Sequence, residues 1–309
     1  MKAMILAAGL GTRLRPLTDT HPKALVEING RTLLEITLVR LHSFGINEVI
    51  INVHHFADMV VDYLKSRKNF GMRLEISRED DLLLDTGGGL KKAAWFFLGD
   101  ASRQGTTPVV PKRTGNTRAL APEEPFLLHN VDVISNIDLR RMLQFHNEHC
   151  ALATLAVQSR ESSRLLLFND RLQLAGRAGS TATPGCASQN AATPDPSAAE
   201  FPRRRLQPPR NASQAKGASA PEAPKPVATR HSRLLEPFAF SGIHVISSRL
   251  LAMLTEQGVF SIIDAYLRLA AQGEKILAFR ADEYYWRDLG RPSDLSQATE
   301  DVKKGALKQ

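Results

Sequence analysis

Short apolar runs alternate along this chain with longer segments in which apolar residues recur every three or four positions. The runs are typical of buried strands, and the segments are typical of helices that bury one face. Apolar runs predict strands at residues 4–7, 49–53, 73–77, 125–132, 152–157, 238–246 and 275–279. Helical periodicity predicts helices at residues 31–44, 57–67, 90–97, 139–149, 249–256 and 262–272, with a last helix after Pro292.

Strands that alternate with helices predict an α/β fold with a three-layer, Rossmann-like and mainly parallel sheet. Open sheets of this kind bind ligands beyond the carboxyl ends of their strands. The loops after Ala7, Val131 and Trp286 are therefore the segments in which we expect the chemistry to lie.

A chain of 309 residues that is 43% hydrophobic can bury a large core. Residues 179–233 hold nine of its 17 prolines and few large apolar side chains, which is typical of a disordered insertion. Residues 101–122 have a similar but shorter pattern. We therefore expect a single domain over residues 1–309, interrupted by these two insertions.

The net charge of +8 comes mainly from the two insertions, because residues 101–122 carry four basic and no acidic side chains, and residues 179–233 carry eight against three. A nearly neutral remainder predicts no nucleic-acid partner. The two cysteines predict no disulfide framework and a cytoplasmic location. The apolar start is too short for a signal peptide, and no window has the roughly 18 apolar residues of a membrane span, so no membrane partner is expected.

A glycine-rich loop, LAAGLGTRLRPLTDTHPKAL, follows the first predicted strand from residue 6 to residue 25. Gly9 and Gly11 begin like a dinucleotide-binding fingerprint, but Leu14 stands where the third glycine belongs. A Walker loop is excluded because Lys23 lies far from the glycines and is not followed by Ser or Thr.

What the loop offers instead is small residues that let backbone N–H groups approach phosphate oxygens, with Arg13 and Lys23 as cations beside them. The whole stretch resembles the signature of the sugar-1-phosphate nucleotidylyltransferases, also called nucleotide-sugar pyrophosphorylases. The resemblance implies that this segment binds the nucleotide through Leu6, Ala8, Gly9, Gly11, Thr12, Arg13 and Lys23.

A second glycine cluster, DTGGG, spans residues 85–89 between a predicted strand and a predicted helix. Three consecutive glycines allow a flat heterocycle to lie against the backbone. The cluster resembles the base-recognition loop of the same family, which implies nucleotide-binding roles for Gly87 and Gly88. By itself it is equally typical of a turn that begins a helix.

Two further motifs, HNVD and WRDLG, follow apolar runs and contain Asp132 and Asp288. Two carboxylates at one sheet edge repel each other, and a hard divalent cation relieves the repulsion. Both motifs resemble the magnesium motifs of the family, so the resemblance implies Mg²⁺ held by these two residues. Each motif alone could equally be a helix cap or a surface turn.

The segments FSGIHVIS (240–247) and FSIIDAYL (260–267) resemble family segments around the sugar pocket, and Asn130 and Gly242 are the sugar-binding candidates. The family's Glu-Lys-Pro motif is missing, and Val131 and Arg291 replace a common Gly and Thr. This combination is most similar to N-acetylmuramate-1-phosphate uridylyltransferases and mannose-1-phosphate guanylyltransferases.

The resemblance implies a magnesium-dependent enzyme in which a sugar 1-phosphate attacks the α-phosphorus of a nucleoside triphosphate and releases pyrophosphate. Arg13, Lys23 and Asp132 are its implied catalytic residues. The alternative is a non-catalytic regulator of the same fold that binds a nucleotide or a nucleotide sugar. The base, the sugar and the oligomeric state stay open at this point, because a few side chains in variable loops decide the first two.

Overall fold

The first apolar run forms strand β1 (Lys2–Leu6), which lies inside the main sheet in the computed structural model of the protein. The structure describes residues 1–98, 124–178 and 235–307. Both predicted insertions, residues 101–122 and 179–233, lie outside the described residues. The described residues belong to one compact unit.

Two short strands, β2 (Glu27–Ile28) and β3 (Arg31–Thr32), form a hairpin apart from the main sheet. The other strands of the first half are β4 (Glu48–Val53), β5 (Arg73–Arg78), β6 (Phe126–Asn130) and β7 (Val133–Ser135). Those of the second half are β8 (Ala153–Gln158), β9 (Leu165–Phe168), β10 (Leu174–Arg177), β11 (Glu236–Ile246), β12 (Ile276–Arg280) and β13 (Trp286–Asp288).

The α-helices of the described residues alternate with these strands. They are α1 (Leu33–Ser43), α2 (Ala57–Ser66), α3 (Asp85–Lys92), α4 (Ala94–Leu98), α5 (Leu139–Glu148), α6 (Leu250–Met253), α7 (Ile262–Ala271) and α8 (Pro292–Lys303). None of them combines the length and the apolar composition that crossing a bilayer requires.

The main sheet has nine strands among the described residues and is mixed. Strands β1, β4, β5 and β6 pair in parallel, and β12 pairs in parallel with β8. The predicted α/β fold with a mainly parallel sheet is therefore confirmed. There are two exceptions. Strand β11 runs antiparallel to β6, β8 and β9, and β9 and β10 form an antiparallel hairpin that the apolar pattern did not predict. An apolar run does not encode strand direction, because a buried strand looks the same in either orientation.

Side chains of β1 alternate between two buried clusters, with Ala3 and Ile5 on one face of the sheet and Met4 on the other. Helices α1, α2, α5 and α8 contribute to the first cluster, and α3, α4, α6 and α7 contribute to the second. This sandwich of helices around one sheet is the predicted three-layer arrangement.

Helix α3 begins at Asp85, five residues before the predicted start at residue 90. The three glycines therefore lie in the first turns of a helix rather than in a loop. The N–H groups of Gly87 and Gly88 donate to the carbonyl oxygen of Phe260 at 2.9 and 3.3 Å. This tertiary contact satisfies N-terminal helix donors that have no partner inside the helix, so the start is set by Phe260 as much as by local sequence.

A separate two-stranded ribbon brings the end of the chain back to the centre of the fold. In this ribbon β13 runs antiparallel to β7, with Asp288 opposite Val133. The N–H of Leu289 also donates to the carbonyl oxygen of Asp132 at 2.8 Å. The ribbon thus places residues 132 and 288, more than 150 positions apart in sequence, side by side.

Candidate active site

The glycine-rich loop after β1 closes tightly on itself. Gly11 has a φ of +64°, which favours glycine, and a Cβ at this position would lie 2.9 Å from Thr18 Cγ2 and 3.2 Å from Lys23 Cβ. The Thr18 hydroxyl donates to the carbonyl oxygen of Gly11 at 2.8 Å. The loop therefore needs a glycine here in order to hold the buried Lys23 against its own backbone.

A cavity of about 540 Å³ opens above this loop at the carboxyl ends of β1 and β6. The nine sequence-predicted site residues that line it are Leu6, Ala8, Gly9, Gly11, Thr12, Arg13, Lys23, Asn130 and Asp132. The position agrees with the rule that open sheets bind ligands beyond the carboxyl ends of their strands. A cavity of this size is typical of a site for a small molecule.

Three of the four charged candidates, Arg13, Lys23 and Asp132, line this cavity. Asp288 lies outside the lining but interacts electrostatically with all three. The ammonium group of Lys23 donates a short hydrogen bond to Asp132 Oδ2. Burial raises the pKa of the Asp288 carboxyl, and the neighbouring charge of Asp132 raises this pKa further, whereas Lys23 and Arg13 oppose the rise. Two acids and two cations, drawn from the beginning, the middle and the end of the chain, therefore share one electrostatic environment.

Asp288 also has an oxygen atom that lacks a hydrogen-bond partner in the described part of the chain. Its Oδ1 atom is buried and has no hydrogen-bond partner among the described residues. Buried carboxylate oxygens without a partner are rare and costly, so this atom is suited to a cationic ligand.

Two carboxylates, those of Asp132 and Asp288, are too few to hold a metal ion by protein ligands alone, but they are enough for Mg²⁺. Within the described ranges, no group of three or more His, Cys, Asp or Glu side chains could hold an ion. Magnesium commonly takes one or two carboxylates and fills its remaining positions with water and substrate phosphates. A pair of carboxylates beside a cavity large enough for a phosphorylated substrate agrees with that mode of binding.

Gly290 is a site residue that the sequence interpretation missed. It lines the cavity, and a Cβ at this position would lie 2.7 Å from one terminal nitrogen of Arg13 and 2.9 Å from Arg13 Cζ. The guanidinium of Arg13 therefore rests directly on the backbone of residue 290. The only signal in the sequence was that Gly290 ends the WRDLG motif.

Gly87 and Gly88 are placed differently from the cavity-lining candidates. Both are buried, and Cβ atoms at these positions would lie 2.3 Å from the Phe260 ring and 2.4 Å from the Gly258 carbonyl oxygen. The same motif lines the cavity with Asp85 and Thr86 instead. The nucleotide-binding role of the two glycines stays a prediction, and their contacts show that they let helix α3 approach residues 258–260.

A buried polar chain connects the first loop to the DTGGG motif, and sequence reasoning missed it as well. Asn52 Oδ1 accepts a hydrogen bond from the N–H of Ala7 at 2.7 Å, and its amide donates to Glu79 Oε1 at 2.8 Å. Glu79 Oε2 then accepts from the N–H of Leu84 at 2.9 Å. The available signal was a single polar residue, Asn52, inside the apolar run of β4.

The two sugar-binding candidates lie against each other. Gly242 has a φ of +74° at an irregularity of β11, and a Cβ there would lie 2.9 Å from Asn130 Nδ2. Asn130 lines the cavity, whereas Gly242 is not among the lining residues. Their role in sugar binding stays a prediction.

Known proteins share both the sequence and the fold of this chain. An N-acetylmuramate α-1-phosphate uridylyltransferase of Caulobacter vibrioides is 50% identical over 93 residues, which is 29% of this chain and 38% of that protein. Mannose-1-phosphate guanylyltransferase 1 of Arabidopsis thaliana is 31% identical over 160 residues, which is 51% of this chain and 38% of that protein. The chain thus spans less than half the length of these two relatives.

Solved structures support the fold. The inositol-1-phosphate CTP transferase of T. maritima superposes with a TM-score of 0.60 at 14% identity, covering 98% of this chain and 95% of that one. The family model described as "Nucleotidyl transferase" matches residues 2–165, more than half of the 309 residues and the segment that supplies the glycine-rich loop, Lys23 and Asp132. The chain therefore belongs to the nucleotidyl transferase family.

Proposed function

We propose that the protein is a sugar-1-phosphate nucleotidylyltransferase. An oxygen of the sugar 1-phosphate attacks the α-phosphorus of a nucleoside triphosphate, and the bond from that phosphorus to the bridging oxygen of the β-phosphate breaks. The products are a nucleoside diphosphate sugar and pyrophosphate. The attacking phosphate is already ionised near neutral pH, so the reaction needs no general base.

One observation carries this proposal: Arg13, Lys23, Asp132 and Asp288 converge beside one cavity, and a buried Asp288 oxygen there lacks a partner. The main obstacle to the reaction is that two polyanions must meet. Fixed cations at the site of developing charge are the usual means by which proteins lower such a barrier.

Each site residue has a role that follows from its position around the cavity. The backbone of the glycine-rich loop and the guanidinium of Arg13, resting on Gly290, bind the triphosphate from the loop side of the cavity. Lys23, held between the loop and Asp132, neutralises charge on the α-phosphate and on the departing pyrophosphate. Asp132 and Asp288 would hold Mg²⁺, which would supply Lewis-acid stabilisation of that same charge.

The names of the relatives suggest where to look for the sugar and the base. We propose N-acetylmuramate 1-phosphate with UTP, or mannose 1-phosphate with GTP, as the first pairs to test, because the names of two similar proteins give those activities. Both pairs fit the same chemistry at the phosphates, so the choice between them lies in side chains around the sugar and the base.

The decisive experiment measures pyrophosphate release from each of the four nucleoside triphosphates combined with a panel of sugar 1-phosphates. We expect turnover with at least one pair in the presence of Mg²⁺ and loss of turnover in EDTA, restored by excess Mg²⁺. Nucleotide binding without pyrophosphate release from any pair would refute the proposal and would favour the non-catalytic regulator.

We also propose that residues 1–309 act as one catalytic domain and that the segments 101–122 and 179–233 are not required for the reaction. The support is that β6 follows the first segment and β11 follows the second, and both strands join the sheet that carries the cavity. We further propose a cytoplasmic location, because the chain has only two cysteines and Cys150 is exposed with no disulfide partner among the described residues.

A further inference from the structure

Unpartnered polar atoms cluster around one aromatic side chain, Trp286. Within the described residues, five buried side-chain nitrogen or oxygen atoms have no hydrogen-bond partner. Three of them, Arg160 Nε, Ser241 Oγ and Asp288 Oδ1, belong to residues that contact Trp286 or share its strand. Buried polar groups are nearly always paired, so unpartnered atoms on three residues that are linked through Trp286 point to a ligand.

Trp286 organises this cluster. Its indole N–H donates to the carbonyl oxygen of Ser241 at 2.7 Å, which fixes the ring. The guanidinium carbon of Arg160 lies 3.7 Å from the ring centroid, a close cation–π contact. Asp288 lies two residues after Trp286 on β13 and therefore on the same face of that strand. The indole thus holds Arg160 next to Asp288.

Arg160 is a half-buried cation that has no neutralising carboxylate within the part of the chain that the structure describes. One terminal nitrogen donates to the carbonyl oxygen of Phe240 at 2.8 Å, and no carboxylate of the described residues lies within ion-pair distance. Burial lowers the pKa of Arg160, and the charge of Asp288 only partly opposes this effect. An arginine keeps its proton under these conditions, so the site favours an anionic ligand.

A second arginine shows that stacking on an aromatic ring does not by itself create such a site. The guanidinium of Arg280 lies 4.3 Å from the ring centroid of Phe238, but its Nε donates to Asp282 Oδ2 at 2.6 Å. The charge of Arg280 is therefore already balanced on the surface. Arg160 has the same type of support and lacks the balancing acid.

We propose that Arg160 binds the phosphate of the sugar 1-phosphate and that Trp286 positions it to do so. This inference rests on the proposed function. Arg13 and Lys23 line the 540 Å³ cavity and serve the triphosphate, whereas Arg160 is not part of that lining and flanks Asp288 separately. The two anionic substrates are thus bound by two separate sets of cations. Asp288 interacts electrostatically with both sets, with Arg13 and Lys23 in one and with Arg160 in the other. A guanidinium suits a phosphate because it donates two parallel hydrogen bonds.

The test compares Arg160→Gln with the matched control Arg280→Gln, using whichever substrate pair the wild-type protein turns over. Arg160→Gln is expected to raise the KM for the sugar 1-phosphate about 10- to 100-fold, the scale of a lost charge-assisted hydrogen bond. The KM for the nucleoside triphosphate stays within about twofold, and Arg280→Gln leaves both constants within about twofold.

Two further measurements sharpen the assignment. The unphosphorylated sugar should inhibit wild type and Arg160→Gln with the same constant, because the phosphate is the group that Arg160 contacts. Equal rises in that inhibition constant and in KM would show that Arg160 binds another part of the sugar and would overturn the proposal. Trp286→Phe keeps an aromatic face but loses the N–H to Ser241, and it should raise the KM for the sugar 1-phosphate less than Arg160→Gln does.

The failure of this inference can be told apart from the failure of the proposed function. If wild type releases pyrophosphate and both Arg160→Gln and Trp286→Phe keep the wild-type KM, the assignment of Arg160 is wrong and the proposed function stands. If wild type releases none from any pair, the proposed function is wrong and this inference with it. A thermal melt shows that each variant is folded. Arg160→Lys keeps the positive charge but loses the planar guanidinium, so it should give a KM between those of wild type and Arg160→Gln.

Discussion

Replacing Gly290 with alanine should move a catalytic cation without unfolding the protein. The new Cβ would lie 2.7 Å from one terminal nitrogen of Arg13, 2.9 Å from Cζ and 3.1 Å from the other terminal nitrogen. Ordinary contacts of this kind begin near 3.4 Å, so the guanidinium must retreat by at least about 0.7 Å. Arg13 is exposed, and its far end can swing away at little cost to the fold.

The expected loss in kcat/KM is about tenfold, or about 1.4 kcal/mol of transition-state stabilisation, because a misplacement of about 1 Å can cost up to 10²-fold. Gly290 is buried, but the atoms that the new Cβ would meet are the far end of the exposed Arg13 side chain, so the melting temperature should stay within about 2 °C of wild type. The assay is pyrophosphate release with a thermal melt of the same sample.

A double-mutant cycle separates displacement of Arg13 from simple obstruction of the cavity. If Gly290 acts through Arg13, Gly290→Ala should have no further effect in an Arg13→Ala background. Gly176→Ala is the matched control, because its Cβ would meet Leu167 Cδ1 at an ordinary 3.7 Å. Wild-type activity in Gly290→Ala, or a full additional loss in the Arg13→Ala background, would refute the reasoning.

Three other outcomes follow from the same structure. Lys23→Ala and Asp132→Ala should each lower turnover about 10²-fold or more, measured by pyrophosphate release, and near wild-type rates in folded variants would remove both from the mechanism. Without Mg²⁺, Asp288→Asn should melt at or above the wild-type temperature. The pKa of Asp288 is raised in the fold, so the wild-type protein loses stability as the pH rises through that pKa and the carboxyl group ionises. An Asp288→Asn protein that melts below wild type at pH 7 and above wild type at acid pH would contradict this sign. Replacing residues 179–233 with a flexible linker of about ten residues should keep turnover, because β10 and β11 lie on either side of β9 and are therefore only about 10 Å apart. A folded but inactive deletion protein would show that the segment takes part in function.

Local sequence determined most of the elements and the identity of the main charged residues. The strands β1, β4, β5 and β8 lie within about two residues of their predicted bounds. Three of them are short apolar runs, and β5 alternates apolar with polar residues, which is an equally local strand signal. The glycine-rich loop could be interpreted without a structure, since small residues and cations within 20 positions already describe a phosphate site.

Tertiary structure decided the features that depend on distant partners. Helix α3 starts at Asp85 because the carbonyl oxygen of Phe260 accepts from Gly87 and Gly88, a contact across more than 170 residues. The antiparallel direction of β11 likewise comes from pairing with β6, β8 and β9, and no local pattern encodes it.

The same division holds within the site. The sequence by itself determined that Asp132 and Asp288 end apolar runs, but only the β7–β13 ribbon put them side by side and left one oxygen buried and unpartnered. The contact of Arg13 with Gly290 and the stacking of Arg160 on Trp286 were invisible in the sequence. The physical reason is that hydrophobic periodicity is a local property of the chain, whereas charge, burial and close approach belong to pairs of residues that only folding brings together.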